Sequence, residues 1–124
     1  MLVINDAQMK TLSRAVFETW MLEHLRTVFP EACNELGDAG LRREIKRSIE
    51  KANQHGFDCE RDLALFVDLV FLLGQDFDQD PRMAWAGQIL NDLSLTDNAS
   101  RMDVLYDAAI EYLSKDSRVA GLDS

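Results

Sequence analysis

The sequence contains few of the residues that build metal sites or disulfide frameworks. Two cysteines, Cys33 and Cys59, and two histidines, His24 and His55, occur in 124 residues. No pair has a ligand spacing such as Cys-x-x-Cys or His-x-x-x-His, so a zinc site is not expected. Two cysteines are also too few for a disulfide scaffold, and we interpret both as small residues of the core or of its boundary.

Positive charge is also scarce. Thirteen Lys and Arg residues stand against 22 Asp and Glu residues, which leaves a formal net charge of -9. This sign opposes binding to a phosphate backbone or to an anionic lipid surface, so neither nucleic acid nor a membrane is an expected partner. The most apolar stretch, residues 63–73, contains Asp68 and is shorter than the roughly 20 residues that span a bilayer. Residues 1–6 have no signal-peptide pattern, so the expected location is the cytoplasm.

Motifs for catalysis are missing as well. The sequence contains no Gly-rich phosphate loop, no nucleophile elbow and no His-Glu-x-x-His. Residues 76–80 resemble the opening of a calcium loop, but Pro81 stands where the turn requires Gly, and Gly87 stands where a bidentate Glu is required. We expect instead that Asp80 caps a helix starting at Pro81 and that Phe77 turns inward. The sequence therefore predicts a protein that is not an enzyme and uses no cofactor and no metal.

Apolar residues, by contrast, are numerous enough for one hydrophobic core. Hydrophobic residues make up 47% of the chain and charged residues 28%, as in soluble globular domains. Residues 1–113 are predicted to form a single helical domain, because their apolar residues recur at helical spacing. Residues 114–124 lack this spacing and are predicted to be a frayed tail. The predicted fold is all-α, a compact bundle of five to six helices.

The first predicted helix starts at Asn5, which forms a capping-box pattern with Gln8, and ends near Phe29. Pro30 disfavours helical geometry before it and starts a short helix that reaches Leu36. The expected buried stripe of the first helix consists of Met9, Leu12, Val16, Trp20, Leu25 and Val28.

Glycine and proline delimit the other predicted helices. These span residues 39–55, residues 58 or 59 to 73, a segment beginning at residue 81, and residues 98 or 100 to 113. The helix that contains Leu63 to Leu73 is apolar on every side and is the predicted centre of the fold. Asp68 within it either pairs with a polar or charged partner, for which Arg61 is the nearest candidate in sequence, or lies at an edge position that reaches water.

Helix 39–55 carries the only concentrated positive charge of the chain. Its outer face is a candidate docking surface for an acidic partner, and the candidate partner-binding residues are Arg42, Arg43, Lys46 and Arg47. Two alternatives remain open. The same face, with Lys51, is either an ordinary solvated surface or neutralises the protein's own Asp76, Asp78 and Asp80.

Several phrases of the sequence form a recognisable set. They are His24-Leu25-Arg26 with Phe29-Pro30, Phe71 with Gly74, Phe77-Asp78 with Asp80-Pro81, Trp85-Ala86, and Arg101-Met102 with Leu105-Tyr106. These matching phrases resemble one known family, the small helical proteins encoded beside type VI secretion spike and effector genes. The resemblance covers roughly residues 5–113. The chain departs from the family at His55, where a tyrosine is expected, and at Gln75, where a proline is expected.

The resemblance implies an accessory role in bacteria. The protein would act as an adaptor or chaperone and bind a secretion effector, a spike protein or a spike-associated adaptor in the cytoplasm. One alternative is an immunity protein that neutralises a toxin acting in the cytoplasm, since an acidic chain suits a basic nuclease. A second alternative is a small helical enzyme of unknown reaction.

Overall fold

The structure, a computed structural model, describes the backbone of residues 14–122 and the side chains of residues 14–115. Within this part of the chain there are five α-helices, one 3-10 turn and no strand. The helices are α1 (Arg14–Val28), α2 (Pro30–Gln54), α3 (Glu60–Leu73), α4 (Ala84–Leu90) and α5 (Asn98–Leu122), and the 3-10 turn is Pro81–Met83. The predicted all-α class is confirmed for these residues. No helix among them is long and apolar enough to cross a membrane.

Helix α1 buries a different stripe from the predicted one. Its buried side chains are Phe17, Met21, Leu22 and Leu25. The prediction was right for Leu25 and wrong for three residues that are exposed, Val16, Trp20 and Val28. The reason is that apolar residues cover more than one side of α1, whereas its neighbours α2 and α3 cover only one. The predicted cap and first stripe residues, Asn5, Gln8, Met9 and Leu12, lie outside the described part.

Helix α2 consists of two helical segments joined at Gly37, whose φ of 70° and ψ of 170° interrupt the helix. This break confirms the predicted short helix from Pro30 and the longer one after it. The expected stripe of the longer segment is fully buried and consists of Leu41, Ile45, Ile49 and Ala52. Gly56 has a φ of 94°, which suits glycine and ends the helix as predicted.

Helix α3 begins at Glu60 and ends before Gly74, which has a φ of 112°. It contacts α1, α2 and α5. Its buried side chains include Leu63, Phe66, Val67, Leu69 and Val70. Other α3 residues, among them Ala64, Leu65 and Asp68, are only partly buried. One side of this apolar helix is therefore only partly covered by the rest of the described fold, and we call it the uncovered side.

The segments after α3 begin at the predicted residues, but α5 ends later than predicted. Asp80 caps the 3-10 turn, because its carboxylate accepts the backbone N–H of Arg82 at 2.9 Å. Phe77 is buried, as expected. Helix α5 runs to Leu122, whereas the apolar periodicity predicted an end at Leu113. No glycine or proline interrupts residues 114–120, so nothing in the backbone stops the helix there.

Candidate functional site

A groove of about 580 Å³ lies over the uncovered side of α3, with α1 and α5 as its walls. Helix α1 contributes Trp20 and His24, and α5 contributes Asp103, Tyr106 and Asp107. Aromatic rings and carboxylates therefore face each other across the groove. The floor is formed by four α3 residues, Arg61, Ala64, Leu65 and Asp68.

The wall on α1 is held in place by a partly buried acid, Asp68. His24 Nε2 lies 3.0 Å from Asp68 Oδ1 and 3.2 Å from Oδ2, so the imidazole N–H donates to the carboxylate. The indole of Trp20 stacks on the imidazole, with ring centroids 5.0 Å apart and planes 7° from parallel. Asp68 thus orients His24, and His24 orients Trp20, so the indole is fixed at the rim of the groove.

The predicted pairing of Asp68 with Arg61 is wrong. Arg61 bonds Asp62 at 3.0 Å and also bonds Asp103 on α5. Two helical turns separate Arg61 from Asp68, and closer carboxylates lie within reach of the guanidinium. His24 reaches Asp68 from α1, a contact between residues 44 positions apart that no local pattern indicates.

Three titratable groups in the groove have shifted pKa values. The hydrogen bond to Asp103 raises the pKa of Arg61. Burial raises the pKa of Asp68, and the neighbouring His24 opposes this shift. Burial, followed by the negative charge of Asp68, raises the pKa of Tyr106, so its phenol stays neutral. Nε2 of His24 is occupied by Asp68, one face of its ring is covered by Trp20, and no Ser, Thr or Cys lines the groove. The His24 ring is therefore committed to its contacts with Asp68 and Trp20.

A second concavity on α1 extends the groove and is lined by Ala15, Val16, Thr19, Trp20 and Glu23. Both concavities include Trp20, and we call them together the Trp20 surface. Val16 is 57% exposed and Trp20 is 48% exposed. An exposed indole beside an exposed aliphatic side chain and a groove is typical of a protein-binding surface.

The Trp20 surface is acidic. The carboxylates that line it are Glu23, Asp68, Asp103 and Asp107, and the one Lys or Arg residue that lines it is Arg61. Four negative charges and one positive charge give a net charge of -3 with His24 neutral. Asp107 forms no ion pair with any side chain of residues 14–115, so its charge is available.

Two residues of the predicted basic face of α2 bond the protein's own aspartates, and three do not. Arg47 Nη2 lies 2.8 Å from Asp76, and Lys51 Nζ lies 3.0 Å from Asp76 and 2.9 Å from Asp78. Neutralisation of the protein's own aspartates is therefore correct for Asp76 and Asp78. It is wrong for Asp80, which bonds Arg82 because the two residues share one turn. The other candidate residues, Arg42, Arg43 and Lys46, are exposed and form no ion pair with residues 14–115, so their role in binding stays a prediction.

The Asp78 carboxylate is the most buried anion of this network, and its side chain is 2% exposed. Burial disfavours its charge, but hydrogen bonds from His55 and Lys51 hold the pKa of Asp78 below its usual value. For Lys51, burial lowers the pKa, but the hydrogen bonds to Asp78 and Asp76 outweigh burial, so the pKa of Lys51 is raised overall. The network ties the loop after α3 to the end of α2.

Arg101 belongs to the matching phrases of the sequence, whose residues we call the family-motif residues. It joins three segments of the chain. Its guanidinium donates to the backbone carbonyl groups of His55 and, at 2.9 Å, Leu90. It also lies 4.4 Å above the centroid of the Phe57 ring. Asn98 completes the contact by donating to the Gly56 carbonyl at 2.8 Å. Arg101 therefore holds the α2–α3 turn against α4 and α5, which is a structural role.

Most other family-motif residues also support the fold. Arg26 pairs with Asp38, Phe77 packs on Phe66, and Trp85 packs on Tyr112. Pro30 and Pro81 start helical segments, Gly74 ends α3, and Met102 is buried in the core. Two motif residues differ, since His24 and Tyr106 line the groove. Of the residues in the matching phrases, only His24 and Tyr106 therefore line the groove.

The cysteines match their expected positions, with Cys33 buried and Cys59 half-buried. Burial raises the pKa of the Cys33 thiol, and Arg26 opposes this shift. Within the part of the chain that the structure describes, no group of three or more His, Cys, Asp or Glu residues is arranged to hold a metal ion.

Sequence reasoning missed the groove because it placed Trp20 in the core. The available signal was the width of the apolar arc on α1. Phe17 and Met21 form one stripe at helical spacing, and Val16 and Trp20 form a second stripe beside it. Two stripes on one helix indicate either two covering neighbours or one exposed face.

Comparisons with family models, with curated proteins and with solved structures find no match for this chain. The resemblance to proteins encoded beside type VI secretion genes therefore depends on the sequence phrases alone.

Proposed function

We propose that this protein is a non-catalytic accessory protein that binds another protein through the Trp20 surface. It acts as an adaptor or chaperone, and its partner is a type VI secretion effector, a spike protein or a spike-associated adaptor in the bacterial cytoplasm. The observation that carries the binding role is the exposed indole of Trp20, held at a groove by His24 and Asp68.

The arrangement of Trp20 supports this role energetically. Tryptophan and tyrosine are enriched among the residues that dominate binding energy, and such residues lie beside pockets from which water is excluded. A side chain that is already oriented loses less conformational entropy on binding. Leu93, which is 92% exposed in the loop between α4 and α5, has no comparable ring stacking or buried support. It therefore serves as a matched control.

The class of partner comes from the sequence phrases. The family they resemble is encoded beside secretion spike and effector genes, which supports a partner from the same neighbourhood. A protein with this role would hold or deliver its partner before secretion. No chemistry of its own is required for that task.

Co-purification tests the proposal. The protein and each effector or spike protein encoded beside its gene would be produced together, and complex formation would be measured by affinity purification and calorimetry. Trp20→Ala should weaken binding by about 2 kcal/mol or more, as at a binding hot spot. Leu93→Ala should leave binding unchanged. Normal affinity of the Trp20→Ala variant, with its melting temperature preserved, would refute the role of this surface.

The immunity alternative is favoured by one observation, the net charge of -9, which suits a basic toxin. It makes a different prediction for the same proteins. An immunity protein abolishes the activity of the isolated toxin, whereas an adaptor brings the effector together with spike components. A toxin that remains active in the complex would eliminate the immunity role.

A further inference from the structure

We infer that the Trp20 surface binds an α-helix of the partner, and that this helix presents a lysine or arginine between apolar side chains. The inference rests on the proposed function and specifies the chemistry of the partner.

The shape of the groove fits a helix. Helix α3 contacts both α1 and α5, and these two helices flank its uncovered side. The floor positions Ala64, Leu65 and Asp68 recur at the spacing of one helical face. An added helix would cover this face and pack on three neighbours, as an amphipathic helix does in a hydrophobic groove. Val16 and Trp20 extend the apolar contact along α1.

The charge of the groove selects a basic helix. The Trp20 surface has a net charge of -3, and the chain as a whole has a net charge of -9. Arg61, the cation on the floor, is already bonded to Asp62 and Asp103. An acidic helix would therefore be repelled both at a distance and on contact, whereas a basic helix would be attracted.

Two features provide a position for one cationic side chain. Asp107 is exposed on the α5 wall and forms no ion pair with residues 14–115. The rings of Trp20 and Tyr106 line the same groove, and the faces of aromatic rings attract ammonium and guanidinium groups. A lysine or arginine that enters the groove would therefore have a carboxylate and two aromatic rings in the same lining, and its aliphatic stem would pack against Leu65.

A second copy of this chain is the less suitable occupant. Among residues 14–115, the exposed cationic side chains that form no ion pair are Arg42, Arg43 and Lys46. They lie on α2, and none of them lines the acidic groove. Contact between α2 of one copy and the groove of another would be heterologous, so it would build a closed ring or an open filament. Concentration-dependent growth of assemblies in sedimentation experiments would therefore contradict the inference.

The experiment uses three synthetic helical peptides and the full chain. All three peptides carry leucines on one helical face, and they differ at one flanking position, which is lysine, norleucine or glutamate. Binding is followed by NMR through the indole N–H of Trp20, assigned with Trp20→Phe. The lysine peptide is expected to bind about tenfold more tightly than the norleucine peptide, a difference of about 1.4 kcal/mol. The glutamate peptide is expected to bind most weakly.

Two variants separate a specific contact from general attraction. Asp107→Asn should reduce the preference for lysine over norleucine. Glu50→Gln, which makes the same change in charge on an exposed side chain of α2, should not. Equal effects of the two variants would mean that net charge alone attracts the peptide, and this would overturn the inference.

The remaining outcomes are also decisive. Equal affinity for all three peptides would overturn the basic character of the partner helix and leave the proposed function intact. Failure of every peptide to shift the Trp20 indole would overturn the helix-binding groove. The proposed function fails separately, if Trp20→Ala leaves co-purification with the natural partner unchanged.

Discussion

Replacing Lys51 by methionine is expected to destabilise the protein substantially, although lysine is usually a surface residue. The Lys51 side chain is 12% exposed, and its ammonium lies 2.9 Å from Asp78, whose side chain is 2% exposed. Methionine keeps most of the aliphatic volume and removes the charge. The variant therefore leaves a buried carboxylate with one partner fewer, and little else changes in the packing.

The magnitude follows from the contacts of Asp78. Removing one partner of a buried ion pair costs about 3 to 5 kcal/mol, and a hydrogen bond to a charged group contributes about 1.5 to 3 kcal/mol. Asp78 keeps its second hydrogen bond, from His55 at 2.8 Å. The expected loss is therefore that of one hydrogen bond to a charged group and not that of a whole buried ion pair. We expect a loss of about 2 kcal/mol, which in a domain of this size lowers the melting temperature by about 8 °C.

Asp76→Asn is the matched control, because Asp76 bonds the same lysine but is 65% exposed. Chemical denaturation at neutral pH should show a clear loss for Lys51→Met and almost none for Asp76→Asn. The double variant Lys51→Met with Asp78→Asn should recover part of the loss, since no unpaired buried charge remains. Equal stability of the two single variants would show that water solvates Asp78, and the reasoning would then be wrong.

The pH dependence provides a second check. The pKa of Asp78 is lower in the folded state than in the unfolded state, so its ionisation stabilises the fold above the unfolded carboxyl pKa of about 4. This contribution is lost as the pH falls through the folded pKa. The stability difference between the wild type and Asp78→Asn should therefore be largest near neutrality and shrink in acid. A difference that grows as the pH falls would contradict the assignment.

The other predictions concern the core, a turn and the basic face. Leu69→Ala should cost about 2 to 5 kcal/mol in denaturation, because Leu69 is fully buried, and a loss below about 1 kcal/mol would place α3 at the periphery. Gly74→Ala should cost about 1 kcal/mol or more, since its φ of 112° strains any side chain; an unchanged melting temperature would refute this. Charge reversal of Arg42 and Arg43 should weaken partner pull-down at low salt without changing the melting temperature if the predicted face docks an acidic partner. Lower stability without a separate loss of binding would assign that face to the fold.

Local features of this protein could be predicted from the sequence. The breaks at Gly37, Gly56 and Gly74 and the cap at Asp80 arise from backbone geometry within a few residues. The buried stripe of α2 was predicted correctly, because charged residues border it on the same helix and leave only one apolar face.

Contacts between distant segments could not be predicted in this way. The partner of Asp68 is His24, which is 44 residues away on another helix. Arg61, the nearest cation in sequence, bonds Asp62 and Asp103 instead. The exposure of Trp20 was missed because helical periodicity identifies apolar faces but not the helices that cover them. Which face of α1 lies against α2 and α3, and which face is left beside an acidic groove, depends on how five helices share one core.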